Sequence, residues 1–317
     1  MRKLFIILLF SVQILNAKQD GVFYTLLGNS QDLTYNTVNS ITQDNSGNMW
    51  FATYNGILKY NGSSWVTYNT TNGLISNTVY STTVDHLGNI WFGMINGAMK
   101  YDGTWNTYLS AHYIISLCKA GNYLWLGQDG IDMIFRYNDV ITESYILSSG
   151  AYAVNSFTNS TSYIWGTSYR GIFSLTKTTN MFDIVEVDYD STSTAGGLGS
   201  NDCFTLEIDN SGNIWVGTLD NYIYVFSGFS WLHITNISNS IIRHIKRDLS
   251  GNMWVATYGG GVFKTSNNGV SWINYTVSNG LADNNVRSIY QDVSGNMWFG
   301  TNNGISKFNG STWVNYH

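Results

Sequence analysis

The sequence predicts an all-β fold, a seven-bladed β-propeller of four-stranded antiparallel blades, on three observations. A tryptophan in matching surroundings recurs at Trp50, Trp91, Trp125, Trp165, Trp215, Trp254 and Trp298. The spacing, about 40 residues, is the period of units that cannot bury their own faces and must stack on neighbours. Between the tryptophans lie short apolar runs parted by Gly, Asn and Asp, with no helical periodicity.

The first repeat justifies each strand. Val38 to Asp44 is expected as strand a, with β-branched Val38, Ile41 and Thr42. Asp44-Asn45-Ser46-Gly47-Asn48 turns the chain, since Gly supplies positive φ and Asp bonds backbone amides two residues on. Met49 to Thr53 is strand b and carries the Trp; Tyr54-Asn55-Gly56 turns into strand c, Ile57 to Tyr60. Asn61-Gly62 is a hairpin turn into strand d, Ser64 to Tyr68.

Both faces of each small sheet are covered by neighbours, so the strand-b indole is expected to fill the wedge between blades. Two residues on stands Ala52, Gly93, Gly127, Gly217, Ala256 or Gly300. These small residues are expected to leave room for the adjacent blade's ring.

Later repeats follow with losses. Blade three shortens its a–b turn to Ala120-Gly121-Asn122, and its strand d, Ile141 to Leu147, lacks the second Trp. Blade four keeps Trp165 and Gly171, lacks the Asp turn, and has strand d around Phe182 to Tyr189, followed by a Ser/Thr/Gly-rich loop, 191–200. Blades five, six and seven return to the pattern and end on Trp231, Trp272 and Trp313. Residues 22–26 look like an eighth strand d, expected to help close the ring.

Arg2 and Lys3 followed by the apolar run Leu4 to Leu15 read as a signal peptide over 1–17, ending near Ala17, with a single propeller over 18–317. The run is short for a membrane span, and none is expected after cleavage. The processed chain would hold 13 basic and 20 acidic side chains, a formal charge of −7, which argues against nucleic acid and anionic lipid. Cys118 and Cys203 fall in strands a of blades that are not neighbours, so they are expected as buried thiols rather than a disulfide.

The pattern Asn-x-Val-x-x-Ile-x-x-Asp-x-x-Gly-Asn-x-Trp-x-Gly-Thr-x-x-Gly-Ile is nearly whole at Val38 to Ile57 and at Val286 to Ile305, and mostly present at Val79 to Ala98. It resembles the two-component regulator propeller repeat, over about 38–317. The resemblance implies a periplasmic sensor propeller of the kind found in hybrid histidine kinases, some of which sense oligosaccharides. No second propeller, later transmembrane helix or kinase follows the repeats, so a stand-alone sensor-like scaffold, or a piece of a longer chain, is expected.

In such a ring the b–c turns and d–a connections share one face, where ligands are expected. The candidate binding residues on it are Tyr54, Asn55, Asn96, Asp129, Tyr169, Arg170, Asp220, Tyr258 and Asn302, joined by the strand-a residues Arg243, His244 and Arg287. Rings that stack on sugar C–H faces, with amides for hydroxyls, suit an oligosaccharide-like ligand. The simpler reading of any one of them is a surface turn. Asp44, Asp85, Asp209, Asp248 and Asp292 head loops too short for calcium and are expected as turn formers. The five histidines show no metal spacing, and no metal or cofactor is expected.

The expected function is therefore an exported, monomeric, non-enzymatic propeller that binds a small polar ligand or a protein partner. Two other classes stay open. The Gly-x-x-Trp-Phe cadence also resembles the propeller lyases that open streptogramin lactones, which need a His, a carboxylate and a metal at the mouth. His244 with Asp220 is the nearest pair to that chemistry. A surface adhesive or structural module is the third class.

Overall fold

The computed structural model describes residues 37–317 apart from 141, 149, 151–152, 179–183, 192–196 and 238–239. The expected signal peptide and the strand at 22–26 lie outside the described residues, as do Phe182 and part of the 191–200 loop.

Seven sheets of four antiparallel strands each are each built from one contiguous stretch of chain. Blade one is β1 (Val38–Gln43), β2 (Met49–Thr53), β3 (Gly56–Tyr60) and β4 (Trp65–Tyr68). Blade two is β5 (Val79–Val84), β6 (Ile90–Met94), β7 (Gly97–Tyr101) and β8 (Trp105–Tyr108). Blade three is β9 (Ile114–Ala120), β10 (Tyr123–Gln128), β11 (Met133–Tyr137) and β12 (Thr142–Ile146). Blade four is β13 (Val154–Asn159), β14 (Tyr163–Ser168), β15 (Gly171–Thr176) and β16 (Glu186–Tyr189). Blade five is β17 (Cys203–Ile208), β18 (Ile214–Thr218), β19 (Ile223–Phe226) and β20 (Trp231–Ile234). Blade six is β21 (Ile241–Arg247), β22 (Met253–Tyr258), β23 (Val262–Thr265) and β24 (Ile273–Tyr275). Blade seven is β25 (Val286–Gln291), β26 (Met297–Thr301), β27 (Gly304–Phe308) and β28 (Trp313–Tyr316).

The innermost strands touch in the order β1, β5, β9, β13, β17, β21, β25 and back to β1, which closes the ring around a channel. The outermost place in blade seven belongs to the C-terminal strand, because β28 pairs with β27. The junction with blade one is fastened by side chains. Ser288 Oγ donates to the Val38 carbonyl at 3.3 Å, and the Val293 amide donates to Gln43 Oε1 at 2.9 Å. Beneath them Val38, Phe51, Tyr60, Trp298 and Ile305 form one apolar cluster.

The seven indoles are buried between blades, as the repeat demands. Their packing partners differ from the expectation. Most wedges are ring against ring: Trp50 meets Phe92 and Tyr101 of the next blade, and Trp298 meets Phe51 and Tyr60. The small residue two positions on faces something else, the apolar residue that opens the next blade's inner strand. A Cβ on Gly300 would lie 2.6 Å from Val38 Cγ1, and one on Gly217 would lie 2.4 Å from Ile242 Cγ2. Small therefore pairs with β-branched near the axis, while indole pairs with aromatic farther out. Gly300→Leu should lower unfolding stability by about 1–3 kcal/mol through overpacking of that seam, as read by urea titration. An unchanged midpoint would refute the packing scheme.

The a–b turn does more than reverse the chain. Asp44 Oδ1 accepts the Ser46 and Asn48 amides at 3.0 and 2.8 Å, while Oδ2 accepts Asn48 Nδ2 at 2.7 Å and Trp50 Nε1 at 2.9 Å. Asp85, Asp209, Asp248 and Asp292 repeat the bond to their own indole at 2.8 to 3.1 Å. One carboxylate thus ties the turn to the core ring. On the far side of three indoles a cross-strand lysine covers the ring: Lys59 on Trp50, Lys264 on Trp254 and Lys307 on Trp298, at 4.8 to 5.1 Å. Cys118 and Cys203 are both free and buried, in β9 and β17. Burial pushes the Cys118 thiol up to about 11, so it stays protonated at neutral pH.

Candidate functional site: the channel mouth

The pairing of strand a with strand b slips by one residue in every blade. In blade one Val38 opposes Thr53 and Ser40 opposes Ala52, which leaves Asn39 extra. The same slip extrudes Tyr80, Ile115, Asn155, Phe204, Arg243 and Arg287 in blades two to seven. A bulge bends its strand and re-aims a side chain. Here all seven bulged residues line one cavity of about 310 Å³ at the axis.

The residues on either side of the bulge hold the scaffold constant. Before it stand Val38, Val79, Ile114, Val154, Cys203, Ile242 and Val286, all fully buried. After it stand Ser40, Ser81, Ser116, Ser156, Thr205, His244 and Ser288, a hydroxyl in six of seven copies. Several of these reach across to the next blade. Ser116 Oγ donates to the Val154 carbonyl at 2.5 Å, and Thr205 Oγ1 accepts the Ile245 amide at 3.1 Å. His244 takes the same post: its Nδ1 accepts the Ile289 amide at 2.9 Å. Burial, then the nearby Lys246 ammonium, pushes His244 down to about 4, so the ring is neutral at physiological pH and acts as an acceptor. Deeper in the channel Lys246 Nζ pairs with Glu207 at 2.8 Å, and that pairing keeps the Glu207 carboxyl low in spite of its burial.

The b–c turns that rim the mouth are rigid for a local reason. A hydroxyl at the end of strand b donates to the turn glycine's carbonyl and accepts an amide within the turn. Thr53 Oγ1 does this with Gly56 at 2.8 Å and Asn55 at 3.0 Å; Thr301 and Ser168 repeat it. On these turns stand the rim side chains, which contact the bulged ring in two arcs. In the first, the Arg287 guanidinium lies 5.5 Å from the Tyr54 ring, and its Nε donates to Asn302 Oδ1 at 2.6 Å. Tyr54 meets Tyr80 edge-on at 5.9 Å, and the Tyr113 hydroxyl donates to Tyr80 Oη at 2.5 Å. In the second arc Tyr169 meets Phe204 edge-on at 6.1 Å, and Arg243 lies 5.2 Å from Phe204 and 5.7 Å from Tyr258. Burial raises the Tyr80 and Tyr169 hydroxyls, so both stay protonated donors.

Of the residues expected from sequence, Tyr54, Arg287 and Asn302 meet in the first arc, and Tyr169, Arg243 and Tyr258 in the second. His244 lines the channel below them. Asp129 stays at the rim through its backbone, whose amide donates to the Tyr113 carbonyl at 2.9 Å. Asn55, Asn96 and Arg170 are exposed at turn tips and do not line the cavity. Asp220 turns back into its own blade, accepting bonds from Thr218 Oγ1 and, at 2.9 Å, from the Tyr224 hydroxyl. The pair named for lyase chemistry is thus apart: His244 braces blade seven and Asp220 braces blade five. Sequence reasoning missed Asn39, Tyr80, Tyr113, Ile115, Asn155 and Phe204. The signal was present for five of them, since each lies between the small apolar residue and the hydroxyl that open strand a.

The family profile described as the two-component regulator propeller matches residues 32–55, 73–96, 197–220 and 280–303. The chain carries four matches to the two-component regulator propeller repeat. The four matches fall on the first, second, fifth and seventh blades, the copies whose Asp-x-x-Gly-Asn turn is intact; blade six has that turn but three glycines after strand b. No curated protein matches this chain in sequence. Among solved structures it is similar to the extracellular domain of a B. thetaiotaomicron protein described as the hybrid two-component system BT4673. That likeness has 19% identity and a TM-score of 0.69, over 86% of this chain and 38% of the other. A catalytically inactive virginiamycin B lyase from Staphylococcus aureus, solved with quinupristin, is 18% identical with a TM-score of 0.69, over 86% of this chain and 95% of the lyase. PorZ, a surface component of the type-IX secretion system of Porphyromonas gingivalis, is 16% identical with a TM-score of 0.71, over 87% of this chain and 47% of PorZ. These likenesses establish the fold. The propeller thus spans well under half the length of the first sensor domains it resembles. Among the described residues no helix is long and apolar enough to cross a membrane.

Proposed function

We propose that the chain is an exported, non-enzymatic propeller that binds a small polar, oligosaccharide-like ligand at the channel mouth, as a sensor domain does. The observation that carries this reading is the bulged ring. At one backbone position the seven blades present Asn, Tyr, Ile, Asn, Phe, Arg and Arg, while the positions before and after it hold to one pattern. Variation at a position that faces the cavity suits recognition, although Asn39 and Asn155 also donate to the Val79 and Cys203 carbonyls of the next blade. The rim tyrosines add flat apolar faces edged by hydroxyls, which suit sugar rings. Export rests on the basic and apolar N-terminal segment and on the extracellular setting of the similar sensor domains. The non-enzymatic reading rests on His244 and Asp220, both engaged in holding blades.

A glycan array probed with the processed chain tests the proposal. Saturable binding that survives chelation is expected. Tyr54→Ala and Tyr169→Ala should each weaken that binding about tenfold, the loss of one stacked ring, with melting temperature nearly unchanged. Turnover of a bound compound, abolished by chelation, would instead favour lyase chemistry. Retention on cells with no glycan bound would favour an adhesive module.

A further inference from the structure

We propose that the mouth selects an acidic sugar, and that Arg243 and Arg287 hold its carboxylate. This rests on the reading of the mouth as a glycan site and adds the charge and orientation of the ligand.

The two arginines occupy the bulge position of adjacent blades, six and seven, so both project into the same side of the cavity. Neither has a carboxylate partner: no ion pair of the described residues involves either guanidinium. Arg243 Nε is buried and makes no hydrogen bond. Its contacts are the ring faces of Phe204 and Tyr258, which hold the guanidinium in place without satisfying its N–H groups. Arg287 is oriented by Asn302, and its Nη1 reaches the Tyr54 hydroxyl only at 3.5 Å. Burial, then the like charge of Arg287, lowers the Arg243 pKa from its ordinary value.

Two unpaired guanidiniums held side by side, half out of water, are unfavourable in the empty protein, because each loses hydration and repels the other. An oxyanion reverses both effects. The flat fork of a guanidinium matches a carboxylate through two parallel N–H bonds, which favours a carboxylate over a tetrahedral ester. The chain as a whole is acidic, with a net charge of −5, so the positive pair is a local feature and not a general basic surface. Acidic groups stand elsewhere on the rim: after burial, the charges of Asp129 on blade three and Asp202 at the start of blade five raise Tyr169, while Arg243 lowers it. The guanidinium pair itself faces no carboxylate in an ion pair among the described residues. The ligand's carboxylate would lie at blades six and seven, and its neutral rings would lie along Tyr54, Tyr80 and Tyr113.

Calorimetric titration of the processed chain with a galacturonic-acid trisaccharide, a neutral galactose trisaccharide and a sulfated trisaccharide tests this. The uronate is expected to bind more tightly than the neutral sugar, with affinity falling as salt is raised. Arg243→Gln and Arg287→Gln should each lose about tenfold or more for the uronate and leave the neutral sugar unaffected. Arg243→Lys should recover only part, since it restores charge without the fork. Melting temperatures of the Gln variants at or above that of the parent would show that folding is intact. Equal affinity for neutral and uronate sugars, or Gln variants that bind the uronate as the parent does, would overturn the proposal while leaving the glycan site standing. A preference for the sulfated sugar would overturn the carboxylate assignment. Binding of no sugar at all would remove both readings.

Discussion

Trp298→Ala is expected to destabilise the protein by about 3–5 kcal/mol, the cost of a large cavity in a close-packed core. The ring is 2% exposed and sits where blade seven meets blade one, against Phe51, Tyr60 and Tyr316. Among the described residues no strand is shared between the two blades of that junction, so side-chain packing holds the described seam. Removing the indole also removes the 2.8 Å bond from Nε1 to Asp292 and the face under Lys307. Trp298→Phe should recover much of the packing but not the bond. The half-buried Trp105 is the comparison, and Trp105→Ala should cost clearly less. Urea titrations followed by far-ultraviolet circular dichroism would measure all three. A loss at Trp298 no larger than at Trp105 would mean that the indole is not what holds the seam.

The second large effect is expected at the a–b turn. Asp248 Oδ1 accepts the Ser250 and Asn252 amides, and Oδ2 accepts Asn252 Nδ2 and Trp254 Nε1, all within 3.0 Å. Asp248→Ala leaves the indole N–H without its acceptor and should cost about 2–3 kcal/mol. Asp248→Asn should cost less in backbone bonding, yet it sets an amide donor against donors from Asn252 and Trp254. Burial raises the Asp248 carboxyl, but the bonds from Trp254 and Asn252 outweigh it and hold it below the usual carboxylate range; the same balance holds Asp44 low. A carboxyl lowered on folding stabilises fully above its unfolded value, near 3.9, and loses that contribution as pH falls through the folded value. Wild-type stability should therefore be complete at neutral pH and decline below about pH 4. Asp248→Asn should show a shallower decline over the same range. Parallel acid profiles for the two would refute the assignment.

The parts of this molecule that repeat were the parts legible in the sequence. Seven indoles at intervals of about 40 residues, five of them after an Asp-x-x-Gly-Asn turn, announced strand b and its burial. The turn glycines marked strand ends within a residue or so: Met49 to Thr53 stands as read, and strand a ends at Gln43 rather than Asp44. The bond from Asp44 to its indole was not read, because a carboxylate that binds amides two and four residues on already accounts for the turn. The facing of Gly300 was misjudged for a related reason. A size pattern along one strand shows that space is needed but not which neighbour fills it, and that neighbour, Val38, is far away in sequence.

The mouth was half legible. Tyr54, Tyr169, Tyr258 and Asn302 stand out because a turn residue with a large or polar side chain has no packing reason to be there. Tyr80 and Phe204 do not stand out, because alternation places them on a strand that buries aromatics elsewhere. Only the slipped pairing shows that they leave the sheet. Arg243 and Arg287 were noticed for their charge rather than for their position. The bulge is marked only by its flanks, a small apolar residue before and a hydroxyl after, because the extra residue itself is of no fixed type.

That slip has an evolutionary consequence. Seven separate codons, one per repeat, write the lettering around the pore, and of these only the two asparagines, Asn39 and Asn155, also bond the next blade's inner strand. Duplicated genes could therefore drift at the other five codons and acquire new tastes while the barrel of blades stays sound. A selection that randomised those five and kept Asn39 and Asn155 would explore recognition with little loss of folded protein.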